Sequence, residues 1–296
     1  MIVLVDIGNT SLKWCRLQGQ ALGPMGVARH SGALPIDVLA SWEQLELVEK
    51  VLVASVGPEP VVAAVRSAAA AYWQCPLIRI ESQAQAQGVR IAYADADRLG
   101  VDRFLALVGA HWLGGGQQVA AHSGAASGRA ADDSRADHRR PQPAAESAPE
   151  PAPEPAPEPA PEFAVPKLIV DAGTAITFDA LLADGTHLGG QILPGVTLLR
   201  QTLLRDLQLP PHQTQDHTEA WGADTGSAIA AASLQAPAAL AERLLQQLQR
   251  YTGIKPRLIL TGSDAERLTP LLPEPHEHQP ALVLQGLARF AAKNPV

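Results

Sequence analysis

The stretch Ile2-Val3-Leu4-Val5-Asp6-Ile7-Gly8-Asn9-Thr10 decides the fold, because the chain carries its pattern twice. An apolar run ends in an aspartate, and a turn and a hydroxyl residue follow. Leu168-Ile169-Val170-Asp171-Ala172-Gly173-Thr174 repeats that order in the second half. Behind the first copy comes the strand-like run Leu12-Lys13-Trp14-Cys15-Arg16-Leu17, and behind the second Ile176-Thr177-Phe178-Asp179-Ala180-Leu181. Two such hairpins, one opening each half, predict a duplicated α/β domain.

The rest of the chain alternates strand and helix signals. Residues 51–55 read as a strand and 60–73 as an Ala-rich helix, with Pro60 early, where its missing donor is harmless. Residues 228–234 and 238–251 read as two helices, and 258–262 as a strand and tight turn leading to a helix from about Asp264. Leu282, Leu284, Leu287 and Phe290 fit a terminal helix. The expected architecture is mixed sheets flanked by helices. One segment breaks the pattern: residues 114–166 are Gly-, Ala- and Ser-rich and then repeat Ala-Pro-Glu-Pro. Proline lacks the amide donor and restricts the residue before it, so a solvated, partly polyproline-II insertion is expected there. The predicted domains are thus 1–113, the disordered insertion 114–166, and 167–296.

Composition narrows the function classes. A chain of 296 residues is long enough for two cores, and 46% hydrophobic with 18% charged residues is a globular balance. A net charge of -7 speaks against a general nucleic-acid binder. The two cysteines, Cys15 and Cys75, are far apart in apolar surroundings and read as buried thiols. No basic region precedes the first apolar run, and no run nears the roughly 18 residues that span a bilayer. The expectation is a cytoplasmic protein without membrane or nucleic-acid partners.

The chemistry concentrates in four places. An aspartate at a strand end, such as Asp6, can hold hydrated Mg²⁺, since hard cations prefer carboxylate and water oxygens. Gly8 lets backbone approach phosphate, and Asn9, Thr10 and Lys13 offer donors. Alone this is also an ordinary hairpin turn; paired with Asp171 and Thr174 it becomes two turns able to grip a triphosphate. No Gly-x-x-x-x-Gly-Lys-Ser/Thr is present, which excludes a P-loop. In Gly100-Val101-Asp102-Arg103, Asp102 can take a hydroxyl proton and Arg103 can bind a carboxylate, or the pair is an N-cap on a solvated helix turn. Gly189-Gly190-Gln191-Ile192-Leu193-Pro194-Gly195 reads as a Gly-dense turn, and Thr261-Gly262-Ser263 as a resting place for adenosine. The nine histidines, including His212, His217, His276 and His278, form no metal set.

On these residues the chain resembles the type III pantothenate kinases, also named for Bvg accessory factor, of the actin/hexokinase/Hsp70 superfamily. The resemblance rests on Asp6-Ile7-Gly8-Asn9-Thr10 with Lys13, on Gly100-Val101-Asp102-Arg103, on Asp171-Ala172-Gly173-Thr174-Ala175, and on Gly189-Gly190 with Pro194-Gly195. It implies duplicated ribonuclease H-like domains and ATP-dependent phosphorylation of pantothenate, the first step towards coenzyme A. It also implies ATP binding by Asp6, Ile7, Gly8, Asn9, Thr10, Ser11, Leu12, Lys13 and Thr174. Asp102 would be the base, and Tyr93, Gly100, Val101, Arg103 and Thr225 would meet pantothenate. Asp171 would hold K⁺ or NH₄⁺, and Asp6 would hold Mg²⁺ through water. A homodimer with a pocket completed across the interface is implied too. The chain departs from the family at Ala94-Asp95-Ala96-Asp97, where a proline is usual, and at Asp224, where Asn is usual. Two other readings stand beside this one: a catalytically idle nucleotide-binding regulator, and a same-fold kinase for another small hydroxy acid or sugar. The intact Asp6, Asp102 and Asp171 speak against the first.

Overall fold

The computed structural model describes residues 1–113, 165–206 and 215–291. His212 and all but the last two residues of the expected insertion lie outside the described residues. The first half runs β1 (Ile2–Ile7), β2 (Ser11–Gln18), β3 (Ala21–Leu22), β4 (Gly26–Arg29), α1 (Ile36–Glu43), β5 (Lys50–Ser55), α2 (Glu59–Ala68), β6 (Leu77–Arg79), the small pair β7 (Gln85–Ala86) and β8 (Val89–Arg90), and α3 (Val101–Trp112). The second half runs β9 (Lys167–Ala172), β10 (Ala175–Leu181), β11 (His187–Pro194), α4 (Val196–Asp206), α5 (Thr225–Thr252), β12 (Arg257–Thr261), α6 (Ala265–Leu268), β13 (His276–His278) and α7 (Leu282–Ala288).

The two main sheets repeat one plan. The first has the order β3-β2-β1-β5-β6, with β4 also on β2, and the second β11-β10-β9-β12-β13. In each, the Asp-bearing strand lies at the centre, antiparallel to its hairpin mate and parallel to the strand on its other side. Asp6 stands opposite Lys13 on β2 and Ala54 on β5, while Asp171 stands opposite Thr177 on β10 and Thr261 on β12. Val3, Leu4, Val5 and Ile7 are fully buried, as a central strand covered on both faces requires. The duplication read from the repeated motif is therefore present in the sheets themselves.

Helices α3 and α7 lie together between the halves. Their core joins Leu4 and Leu52 of the first sheet to Leu105, Leu284, Ile169 and Ile259. A Cβ on Gly109 would overlap the Leu282 carbonyl, and one on Gly286 the Leu105 carbonyl, so glycine sets how near the two helices come. This packing seats α3, whose first turn carries Asp102, against β5 of the first sheet and β9 and β10 of the second.

Several expected elements differ. The helices expected at 228–234 and 238–251 are one helix, α5, which runs through Pro237. A mid-helix proline costs about 3 kcal/mol; here it is buried with Leu234, Ala238 and Ala241, whose burial offsets that cost. The expected turn at Gly189-Gly190 is the middle of strand β11. The helix from about Asp264 is the single turn α6 followed by a 3-10 turn. Phe290 lies just beyond α7, with its ring 6.1 Å from that of Phe104. The helix read at 60–73 is α2 continued by a π-helical turn, Ala69–Trp73. Both cysteines are free thiols, Cys15 buried and Cys75 partly so.

Candidate active site

The two hairpin turns face each other. Thr10 Oγ1 and Thr174 Oγ1 are 2.9 Å apart, 164 residues apart in sequence. Between them opens a cavity of about 120 Å³ whose lining includes Asp6, Asn9, Lys13, Asp102, Asp171 and Thr174. Gly8, Ser11, Gly262 and Ser263 also line it, so the turn after β12 joins the two phosphate-loop candidates. Ile7 and Leu12 point into the core, which leaves only their backbone to the cleft side.

Glycine makes this convergence possible. A Cβ on Gly195 would overlap the carbonyls of Gly173 and Thr174, and one on Gly57 the carbonyl of Gly8. Gly262 has φ +99° and sits on the Ala172 backbone, so a side chain there is both strained and blocked. Gly100 occupies the N-cap position of α3, and a Cβ on it would press on Asp102 Oδ1. Asp102 is thus a first-turn residue of the helix rather than its N-cap; its Oδ1 accepts the Arg103 N–H at 2.8 Å.

Three carboxylates and one lysine share the cleft, and the electrostatics show the imbalance. Burial lifts the Asp6 carboxyl to about 7; the charges of Asp102 and Asp171 add to this, and Lys13 opposes it. Burial also lifts Asp171, to about 6, again with Lys13 opposing and Asp102 and Asp179 adding. Asp102 is raised by burial, against the pull of the Arg103 amide and guanidinium. Excess negative charge held in a polar cleft is what a hard cation would neutralise. Among the described residues no three His, Cys, Asp or Glu side chains group as ligands of one ion. A cation here would therefore take one or two carboxylates and complete its shell with water or phosphate oxygens.

Behind Asp102 lies a network that sequence reasoning missed. Arg103 is only 6% exposed, not on a solvated turn, and its guanidinium forks onto Asp179, which is 2% exposed. Nε meets Oδ2 at 2.9 Å and Nη2 meets Oδ1 at 2.5 Å. Nη1 donates to the Tyr93 hydroxyl at 3.0 Å, and His187 Nε2 donates to Asp179 Oδ1 at 3.0 Å. The Ala92 amide donates to His187 Nδ1, which leaves the ring hydrogen on Nε2. Burial alone would raise the Asp179 carboxyl, but the His187 and Arg103 hydrogen bonds outweigh it and hold it below its usual range. A Cβ on Gly190 would collide with Asp179, the Phe178 carbonyl and Arg103, which explains the glycine inside β11. The available sequence signal was period two: Thr177 and Asp179 share a face of β10.

Not every expected residue joins the cleft. Gly100 and Val101 line an adjoining groove with Arg79 and Ser82, separated from the cleft by Val56, which borders both. Thr225 begins α5 with an exposed side chain and lies outside the residues lining the cleft. His217 lies near Trp221, whose carbonyl its Nε2 contacts at 3.1 Å, and His276 near Glu274; neither is at the cleft. No helix among the described residues is long and apolar enough to cross a membrane.

Comparison with known proteins gives the family. A model of the family described as type III pantothenate kinase matches residues 2–128 and 160–247. A type III pantothenate kinase of Nitrosococcus oceani is 31% identical over 98% of this chain and 94% of that protein. One of Xanthomonas euvesicatoria pv. vesicatoria is 33% identical over 97% of this chain and 96% of that protein. Among solved structures, a conserved Baf family protein of Campylobacter jejuni, described as a transcriptional activator, superposes with a TM-score of 0.50 over 97% of this chain and 96% of that one. It is 16% identical, so that likeness shows the fold alone. The repeated Asp turns, the cleft between them and the near full-length relatives together establish that this chain belongs to the type III pantothenate kinase family.

Proposed function

We propose that the chain transfers the γ-phosphoryl group of ATP to the primary hydroxyl of pantothenate, as the resemblance implies. The observation that carries this reading is the convergence of Asp6, Asp102 and Asp171 with Lys13 on the one cleft between the paired turns. Phosphoryl transfer asks for positioning and charge neutralisation more than for covalent chemistry. Residues 6–13 and Thr174 cradle the phosphates through backbone amides, hydroxyls and Lys13. Mg²⁺ bound with ATP, held through water by Asp6, and K⁺ or NH₄⁺ beside Asp171 would supply the positive charge that the carboxylates call for.

Asp102 accepts the hydroxyl proton as the new O–P bond forms and the β–γ bridging bond breaks, its electrons leaving with ADP. Its burial supports this role, because a base works best with a proton affinity nearer the operating pH. Its Oδ1 is occupied by the Arg103 amide, which leaves Oδ2 for the hydroxyl. Asp179 takes Nε and Nη2 of Arg103 and Tyr93 one hydrogen of Nη1, so the substrate carboxylate would meet the remaining Nη1 hydrogen beside the Tyr93 hydroxyl. Gly100 and Val101 line the groove on the far side of Val56, next to this pocket. Thr225, exposed and outside its own cleft, fits a homodimer in which it reaches the pocket of a second copy. A cytoplasmic setting goes with this metabolic role.

The test is ADP release in Mg²⁺, with pantothenate, other small hydroxy acids and sugars as acceptors, in K⁺, NH₄⁺ or Na⁺. Release that needs pantothenate and either K⁺ or NH₄⁺ supports the reading. Release with a different acceptor makes it a kinase of another substrate, and none with any acceptor in a folded preparation leaves the idle regulator.

A further inference from the structure

The first phosphate loop is held from outside the cleft by a residue that the proposed reaction does not itself use. His30 follows edge strand β4, which pairs with β2 up to Ser11 opposite Arg29. Its backbone amide donates to the Thr10 carbonyl at 3.0 Å, and its ring Nε2 lies 3.0 Å from the Gly8 carbonyl. The Gly32 amide faces His30 Nδ1 at 3.4 Å, so Nδ1 is the acceptor and Nε2 carries the hydrogen given to Gly8. The Gly8 carbonyl is closed in on a second side by Gly57, where a Cβ would overlap it. Gly8 N–H in turn donates to the Ser11 carbonyl at 2.9 Å.

These contacts set one peptide plane. A trans peptide is planar, and its C=O and N–H point in opposite directions. The Gly8 carbonyl is drawn towards His30, which is not among the cleft-lining residues, whereas Gly8 and Asn9 are. The Asn9 N–H of the same peptide is thereby turned to the cleft side. Backbone amides aimed into a concave site are the groups that bind phosphate oxygens. Had the peptide flipped, a carbonyl would face the phosphate and repel it.

We infer that His30 is a positioning residue for nucleotide phosphate: by holding the Gly8 carbonyl it presents the Asn9 N–H to the triphosphate. The inference rests on residues 6–13 being the phosphate loop, as proposed for the reaction. The test compares His30→Ala, His30→Gln and His30→Glu, reading KM for ATP and for pantothenate separately, with Lys13→Ala as the control for the loop. Glutamine can donate to the Gly8 carbonyl and glutamate cannot, while the two are alike in size, so this pair decides even if alanine fails to fold. Loss of one orienting hydrogen bond predicts an ATP KM raised about 3- to 10-fold in the Ala and Glu variants. The pantothenate KM stays within about twofold, and Gln restores the ATP KM to within about twofold of the parent. An ATP KM unchanged in His30→Glu, or raised equally in His30→Gln, overturns the role of His30 while a raised ATP KM in Lys13→Ala keeps the phosphate loop. An unchanged ATP KM in Lys13→Ala overturns both.

Discussion

Replacing Asp179 by Asn keeps the shape of the buried network and removes its only carboxylate. Arg103 stays charged, 6% exposed, with its Nε and Nη2 facing a neutral amide that can accept at one atom only. His187 loses a charged acceptor at the same time. Breaking one partner of a buried ion pair costs about 3–5 kcal/mol, against about 0–1 kcal/mol for a surface pair. The near-complete burial of both Arg103 and Asp179 places this pair in the first class. Against a typical domain stability of about 5–15 kcal/mol, that is a large fraction. The assay is urea unfolding near neutral pH, followed by circular dichroism, for the parent, Asp179→Asn, Arg103→Met and the double variant. The two single losses should sum to more than the double loss, because the second substitution removes the charge that the first stranded. The pH dependence has a defined sign. The folded Asp179 carboxyl titrates below its ordinary 3.8, so its stabilisation is complete above that value. It is lost as pH falls through the lower folded value, and the gap between parent and Asp179→Asn closes in that acid range. A loss below about 1 kcal/mol at neutral pH would refute the reasoning, since the pair would then be behaving as a solvated one.

Other outcomes follow from the same geometry. Asp6→Asn should stabilise the ligand-free protein above neutral pH, because burial lifts Asp6 to about 7, so its carboxyl costs no stability below 3.8, increasingly more between 3.8 and about 7, and the full amount above that. Thermal melts at mildly acidic and alkaline pH check this, and the same variant should lose ATP-dependent turnover. Asp102→Asn should lower kcat by about 10²- to 10⁴-fold while calorimetry finds ATP binding largely intact. Gly190→Ala should cost about 1–3 kcal/mol in urea unfolding, because its methyl group has to displace Asp179, Arg103 or the Phe178 carbonyl.

What the sequence disclosed was the local part of the site. The Asp-turn-hydroxyl pattern is contiguous, so the order of residues alone is enough to pick out and pair Asp6, Thr10, Asp171 and Thr174. The two sheets repeat one strand order, as the repeat suggested, and the 2.9 Å between Thr10 and Thr174 shows that the two turns face each other. Residues whose role depends on a distant neighbour were not legible. Gly190 reads as a turn former when only its flanks are considered; the reason for it is the crowding of Asp179 and the Phe178 carbonyl on β10 and of Arg103 on α3, all from other elements. Nothing contiguous links Asp179 and His187 to Arg103 and Tyr93; the fold of the second sheet brings them together. The two helices read on either side of Pro237 are one, because propensity is local whereas the burial that carries α5 through the proline is tertiary.

In the proposed reaction the cleft moves phosphate from ATP to the primary alcohol of pantothenate. Phosphorus NMR of a reaction with ATP, Mg²⁺, K⁺ and pantothenate tests it most directly. The expected result is a new phosphomonoester signal, coupled to the methylene protons of the primary alcohol, growing in step with ADP and absent with Asp102→Asn. A folded protein that yields only inorganic phosphate, or leaves ATP unchanged, would contradict it.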